Sequence, residues 1–265
     1  ETYGAIAHFE RLPERYSIWS NFQGPFILQP LMARALRIGG NQLRLISAPH
    51  SGGSFGIKQG LYPYLVLLAA ASRILECPLK WVEDRLEHLM ASSSASDRSD
   101  SIEAAFDDVG QLVGLRYDNC VNVGAYVRAP EPASVYRMHA ASNGCYRVRD
   151  IAIENRLVTT NKTPIGLNRG YGGPQFYFGL ERAMDMAARQ LNMDPAEIRR
   201  RNFIAPGDFP YEAPAGAIYD AGDYGKALDL LLEISGYPDL KAMRAKARAS
   251  GRLFGIGFGA GVEPS

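Results

Sequence analysis

The chain has 265 residues, 46% of them hydrophobic and 22% charged, an ordinary composition for a globular protein with ample material for a core. Lys and Arg number 29 against 28 Asp and Glu, a net charge of +1, which speaks against nucleic acid or a membrane surface as partner. The longest apolar run, Leu65 to Ala71, is too short to span a bilayer and is followed by Ser72 and Arg73.

Ala5–Phe9 and Tyr16–Ser20 alternate as strands around a Pro13-Glu14-Arg15 turn. A helix is expected from about Phe26 to Leu36, ended by Gly39-Gly40. Gln42–Ser47 reads as a short strand, and Leu61–Leu75 as a buried helix. Between them lies Gly52-Gly53-Ser54-Phe55-Gly56-Ile57-Lys58-Gln59-Gly60. Strand, glycine loop and helix is a layout that presents backbone N–H groups to an anion, and glycine permits positive φ and close approach of a ligand. The same pattern also fits a plain tight turn.

Pro78–Val82 reads as a strand feeding a helix from Glu83 to Ala91. Ser92–Ser96 reads as a polar loop and not as a domain boundary. Ser101–Asp107 and Leu112–Ala125 form an expected antiparallel pair, with Asp108-Val109-Gly110 in the turn. Pro130 and Pro132 mark a loop, Ser134–Ala141 a helix, and Ile151–Thr159 a strand. A second glycine loop, Asn168-Arg169-Gly170-Tyr171-Gly172-Gly173-Pro174-Gln175, precedes a helix with Phe178, Ala183, Met184, Ala187, Ala188 and Leu191 at helical spacing. Asp194-Pro195 caps a further helix, whose Arg199-Arg200-Arg201 triplet reads as salt-bridged or solvated. Helices over 223–234 and 240–248 follow, then a terminal Phe254–Gly257 strand. Cys77, Cys120 and Cys145 lack CxxC spacing and read as reduced thiols. The four histidines show no metal-binding arrangement.

Two glycine-rich loops, each opening a helix, suggest two walls of one site. GGSFGIKQ resembles the GGGFGGKE motif, and NRGYGGPQ the FRGFGGPQ motif, of the molybdenum hydroxylases: the molybdopterin-binding large subunits of the xanthine dehydrogenase, aldehyde oxidase and aerobic carbon monoxide dehydrogenase family. The resemblance extends through Lys80–Arg85 and Asp194–Phe203 and covers essentially the whole chain.

The resemblance implies an α+β fold of mixed strand–helix repeats, the first lobe of the large subunit. It makes residues 1–265 part of one molybdopterin-binding domain and a fragment of a longer subunit. It implies oxidation of a small organic substrate, an N-heterocycle or aldehyde, with water as oxygen donor. It implies a cytoplasmic complex with an iron–sulfur small subunit and an FAD medium subunit carrying [2Fe-2S] clusters and flavin. Cofactor contacts fall on Gln23, Gly52, Gly53, Phe55, Gly56, Arg169 and Gly170, with none of them ligating the metal directly. Gln23 matches the glutamine of a TFQAP-like segment, where a neutral amide donates without protonating or ligating the metal. Substrate contacts fall on Gln59, Arg137 and Tyr171.

Three departures qualify the resemblance. The GGKE glutamate is Gln59 here, which cannot act as anion or base, so xanthine-like chemistry is disfavoured. Ile165–Gly173 holds no cysteine, which disfavours a copper-dependent oxidation of carbon monoxide. The catalytic base is expected beyond residue 265, with Glu263 no substitute, so the fragment alone is expected to be inactive. A non-catalytic cofactor-holding or assembly module of the same fold is the alternative. A nucleotide-binding loop is a third reading, weakened because Lys58 is followed by Gln59 where a GK[ST] ending is required.

Overall fold

The computed structural model describes residues 2–263. Helices and strands are mixed along the chain, as an α+β fold requires. The chain divides into two compact units, residues 1–97, 121–134 and 157–171 in the first and 98–120, 135–156 and 172–265 in the second.

In the first unit, β1 (Gly4–Glu10), β2 (Arg15–Ser20), β3 (Leu43–Ser47) and β4 (Leu79–Val82) form a four-stranded sheet in the order β3-β2-β1-β4. The β1–β2 hairpin is antiparallel with Ala7 opposite Ile18, and β3 joins β2 in parallel with Leu45 opposite Ile18. A parallel neighbour needs a crossover, and α1 (Pro25–Leu36) supplies it. Helix α2 (Tyr62–Leu75) then returns the chain to β4. Ala7, Ile18, Leu28, Met32, Leu61, Leu65 and Ala69 make the core, each under 3% exposed. Only one face of α2 takes part. Leu65, Ala69 and Ser72 are buried, whereas Leu67, Ile74 and Leu75 are exposed, so α2 is less deeply buried than its apolar sequence suggests.

The polar Ser92–Ser96 stretch follows α3 (Arg85–Ala91) without leaving the first unit. Asp84 caps α3 through the Glu87 N–H, and Glu87 returns a bond to the Asp84 N–H, a reciprocal capping box.

In the second unit, β5 (Arg98–Phe106) is followed by β6 (Leu112–Gly124), and β7 (Asp150–Thr159) completes a β5-β6-β7 sheet. The unit division falls within β6 and within β7. Helix α5 (Gly173–Gln190) buries Phe176, Leu180, Met184 and Ala188. Gly179 of α5 lies so close to β5 that an added Cβ would come within 1.8 Å of Ile102 Cδ1. Phe178, expected on the buried face, is 78% exposed, since it falls two residues from Phe176 and therefore on the opposite side.

Helix α6 (Pro195–Asn202) starts at Asp194, whose carboxylate accepts the Ala196 N–H at 2.8 Å. Arg199 of the triplet is salt-bridged and only 1% exposed. The short pair β8 (Tyr211–Glu212) and β9 (Ile218–Tyr219) precedes α7 (Tyr224–Ile234) and α8 (Tyr237–Ala249).

Two expected elements differ. In place of a helix over 134–141 there is one turn, α4 (Ala133–Tyr136). Beyond it the backbone makes i→i−3 turns in place of helical i→i−4 bonds: His139 N donates to Tyr136 O at 3.0 Å, Ala141 N to Met138 O at 3.2 Å and Ser142 N to His139 O at 3.1 Å. The Phe254–Gly257 segment forms no strand. Its burial does alternate, with Ile256, Phe258, Ala260 and Val262 turned inward, but it has no hydrogen-bonded neighbour strand among the described residues. No helix among the described residues is long and apolar enough to cross a membrane.

Candidate functional site

The first glycine loop does not run directly into α2. A 3₁₀ turn, Ile57–Leu61, intervenes, and Gly56 precedes it at φ +107°. Gly52, Gly53 and Gly56 therefore sit a full turn before α2 and do not place their N–H groups at its N-terminus. Lys58 is 3% exposed, with Nζ turned to the loop's own carbonyls, Ser51 O at 3.4 Å and Gly52 O at 3.5 Å. A phosphate-binding loop needs that lysine directed outward, so the nucleotide reading loses its central residue. Just before β1, the Tyr3 hydroxyl donates to Ile57 O at 2.9 Å and secures the 3₁₀ turn. Burial, the dominant cause, pushes the Tyr3 phenol well above its ordinary range, so it keeps the proton it donates.

Gln23, at the entry to α1, reaches across to this loop. Its Oε1 accepts the Gly56 N–H at 2.9 Å and the Ser54 hydroxyl. Because a backbone N–H can only donate, the atom facing Gly56 is the oxygen, and the NH2 end of the carboxamide is the end offered elsewhere.

Phe55 sits between them at φ +54°, a left-handed conformation that costs a non-glycine residue about 1–2 kcal/mol. Its carbonyl accepts the Arg169 N–H at 2.7 Å, a backbone bond that joins the two glycine loops. The Phe55 ring is 61% exposed. Gly53 gives it room, since a Cβ there would come within 2.6 Å of Phe55 Cε2. At Gly56 a Cβ would stand 2.8 Å from Leu167 O, so the two loops meet backbone to backbone.

The second loop is held from below by the serine stretch. Ser94 N donates to Pro164 O and Gly166 N to Ser94 O, at 3.0 and 3.1 Å. Ser93 fits between two glycines: added Cβ atoms would reach its Oγ at 2.7 Å from Gly60 and 2.3 Å from Gly166. Arg128, 3% exposed, donates to Ser93 Oγ at 2.7 Å. Above this base Asn168 and Arg169 are exposed, Gly170 adopts φ +75°, and Tyr171 is half-buried.

The cofactor residues expected from sequence, Gln23, Gly52, Gly53, Phe55, Gly56, Arg169 and Gly170, all belong to the first unit, as do Gln59 and Tyr171. Direct contacts join Gln23 to Gly56 and Phe55 to Arg169. Gln59 is 8% exposed, its Nε2 lying 3.5 Å from where a Gly24 Cβ would stand. Arg137 lies in the second unit, where it pairs with Glu263 at 2.6 Å. In that unit Gly172, at φ +83°, precedes α5. Ser54, Ser93 and Arg128 were not found by sequence reasoning. Ser54 looks like a defect in a glycine motif, and a buried arginine carries no local signature.

The donor set suits a bound anionic group, and no cluster of His, Cys, Asp and Glu able to hold a metal ion directly is found among the described residues. The set consists of an oriented neutral amide, exposed glycine backbone at Gly52 and Gly53, and the Arg169 guanidinium. A molybdenum-bearing pterin fits that description. The reduced thiols lie elsewhere, and burial pushes Cys145 up to about 12, which leaves it inert.

Residues 1–203 match the family described as the molybdopterin cofactor-binding domain. The nicotine 6-hydroxylase large subunit of Paenarthrobacter nicotinovorans is 33% identical over 268 residues, covering 100% of this chain and 32% of that protein. The carbon monoxide dehydrogenase large chain of Hydrogenophaga pseudoflava is 34% identical over 265 residues, covering 97% and 33%. Quinoline 2-oxidoreductase from Pseudomonas putida 86 superposes with a TM-score of 0.88 at 32% identity, covering 95% of this chain and 32% of that one. The chain thus spans about a third of the length of these relatives.

Proposed function

Because the chain belongs to the molybdopterin cofactor-binding domain family of molybdenum hydroxylase large subunits, we propose that it forms the glycine-loop wall of a molybdenum-cofactor site. The enzyme it serves hydroxylates a small organic substrate, an N-heterocycle or an aldehyde, with water as the oxygen source. The observation that carries this reading is the oriented amide of Gln23, locked by the Gly56 N–H at 2.9 Å. The cofactor, when bound, supplies the two-electron redox chemistry.

Each residue has a part in that reading. Gln23 Nε2 donates to the cofactor. Gly52 and Gly53 admit it close to the backbone, and the exposed Phe55 ring gives it an apolar neighbour. Arg169 and Gly170 hold its anionic parts, the guanidinium fork matching paired oxygen acceptors. Gln59 and Tyr171 face the substrate, a neutral amide and an aromatic ring that suit a planar neutral molecule. The absence of a carboxylate at Gln59 and of a cysteine in Ile165–Gly173 favours an organic ring or aldehyde over xanthine or carbon monoxide. Residues 1–265 form part of one cofactor-binding domain, and electrons leave through [2Fe-2S] clusters and FAD on partner subunits or domains.

The test uses the full-length protein with its co-purifying partners. Panels of N-heterocycles and aldehydes are offered in ¹⁸O-water with a dye as electron acceptor. Labelled hydroxylated product from either panel is expected. Gln23→Ala and Gln23→Glu are each expected to lower turnover about 10²-fold, the scale of losing one oriented donor. The glutamate variant is informative because its oxygens can still accept from Gly56 and Ser54 while it offers no amide donor. Unchanged rates and unchanged molybdenum content in both variants would remove Gln23 from the site.

A further inference from the structure

Ser54 stands where the loop motif it resembles has glycine, and its hydroxyl makes three hydrogen bonds. It donates to Gln23 Oε1 and accepts the backbone N–H groups of Gly56 and Lys58, each at 3.3 Å. The same Gly56 N–H also donates to Gln23 Oε1 at 2.9 Å. Both acceptor positions of the Gln23 amide oxygen are therefore filled, one by an N–H and one by an O–H. The reversed carboxamide would set Nε2–H against the Gly56 N–H, donor against donor.

Two consequences follow from elementary chemistry. Two bonds fix the plane of the carboxamide, where the Gly56 bond alone would leave it free to rock about one contact. Drawing electron density toward Oε1 through two donors also strengthens the Nε2 hydrogens as donors, by the cooperativity of linked hydrogen bonds. Glycine or alanine at position 54 can do neither. The two residues are 31 positions apart and the loop backbone closes on both, so the lock belongs to the folded loop and not to local sequence.

We infer that Ser54 is a positioning residue which, acting through Gln23, fixes and polarises the carboxamide offered to the molybdenum cofactor. This rests on Gln23 being a cofactor donor, as proposed above. A substitution within the glycine motif thereby becomes a device that sharpens one cofactor contact.

The experiment compares Ser54→Ala, Ser54→Thr, Gln23→Ala and the Ser54→Ala/Gln23→Ala double variant in the full-length protein with its partners. Two readouts are taken. Amide hydrogen exchange over Ser54–Leu61, in protein from a host lacking the cofactor, reads the lock itself. The rate of molybdenum release on dialysis of protein from a cofactor-making host reads its effect on the site. In Ser54→Ala, exchange at Gly56 is expected to rise about 5–10-fold and molybdenum release to quicken about as much. Ser54→Thr, which keeps a hydroxyl, is expected to restore both. In molybdenum release the double variant should behave like Gln23→Ala, since there Ser54 has nothing left to act through, whereas exchange still reads the bonds Ser54 accepts from Gly56 and Lys58. Molybdenum-release effects that multiply in the double variant, or unchanged exchange in Ser54→Ala, would overturn the role of Ser54 while leaving Gln23 standing. Coupled exchange with unaltered molybdenum release in Gln23→Ala would overturn the Gln23 reading and the positioning role with it.

Discussion

Gly56→Ala is expected to strip the protein of its cofactor while leaving a folded chain. Gly56 lies at φ +107°, where an L-residue is strained, and an added Cβ would meet Leu167 O at 2.8 Å, Leu167 C at 2.9 Å and Leu167 Cβ at 2.9 Å. Two of these three atoms are backbone, so no rotamer change relieves the overlap. The strain and the overlap each cost about 1–3 kcal/mol. The cheapest relief is to part the two loops, which breaks the Arg169 N–Phe55 O bond and pulls Gly56 N–H from Gln23. Separation worth about 3 kcal/mol corresponds to a loss of more than about 100-fold in loop closure. Molybdenum per chain should then fall below about a tenth of the wild-type value, with circular dichroism unchanged. Gly40→Ala is the control: Gly40 is exposed, has no positive φ, and an added Cβ would meet nothing within 4 Å, so its loss should be far milder. Full occupancy in Gly56→Ala would mean that loop contact does not shape the site.

Arg199→Met is expected to produce the largest loss of stability, about 3–5 kcal/mol by urea unfolding of the full-length protein at pH 7. Arg199 is 1% exposed, and its guanidinium is fully engaged. Nε donates to Glu181 Oε2 at 2.9 Å, Nη1 to Asp185 Oδ1 and Pro195 O at 2.9 Å, and Nη2 to Glu181 O at 3.2 Å. It lies 5.3 Å over the Phe258 ring. Removing it leaves Glu181, 6% exposed, with the Tyr146 hydroxyl at 2.5 Å as its one side-chain partner among the described residues. The cost is that of a stranded charge, so Arg199→Met/Glu181→Leu should recover most of the loss. The sign with pH follows. Burial already raises the Glu181 carboxyl above its ordinary value, and Arg199 opposes that rise. Without Arg199 the folded value climbs further above the unfolded one. Ionised Glu181 then destabilises the fold above the unfolded value, and the deficit shrinks as pH falls through the folded value. A deficit that is independent of pH and unrelieved by the double change would show that packing, not charge, is what Arg199 contributes.

Sequence and structure agree where the signal is local. Asp194-Pro195 is a helix start by chemistry alone, and α6 begins there. The alternation of β1 and β2 and the turn between them were legible, because hairpin partners are neighbours in sequence. The glycine motifs and Gln23 could be read only through resemblance, since a glycine run by itself also marks a tight turn. What the chain did not disclose depends on partners far along it. The stretch 134–141 has helical composition, but it is laid out as successive turns whose ends are held by distant partners, Ala217 N on Ala140 O and the Tyr117 hydroxyl on Ser142 O. The 254–257 segment has the alternation of a strand without a neighbour to pair with among the described residues. The 3₁₀ turn at Ile57–Leu61 was hidden because its Lys58-Gln59-Gly60 reads as the tail of a glycine loop. Ser93 lies in a stretch that reads as a featureless polar loop, yet it is the peg between Gly60 and Gly166.

The central claim is that the first glycine loop and the Asn168–Tyr171 part of the second, both in the first unit, hold a molybdenum-bearing pterin. The most direct test is the molybdenum and pterin content of the full-length protein, purified from a host that makes the cofactor together with whatever subunits co-elute. About one molybdenum and one pterin per large subunit is the predicted result, with both lost in Gly56→Ala. A folded protein from the same host that carries neither would contradict it.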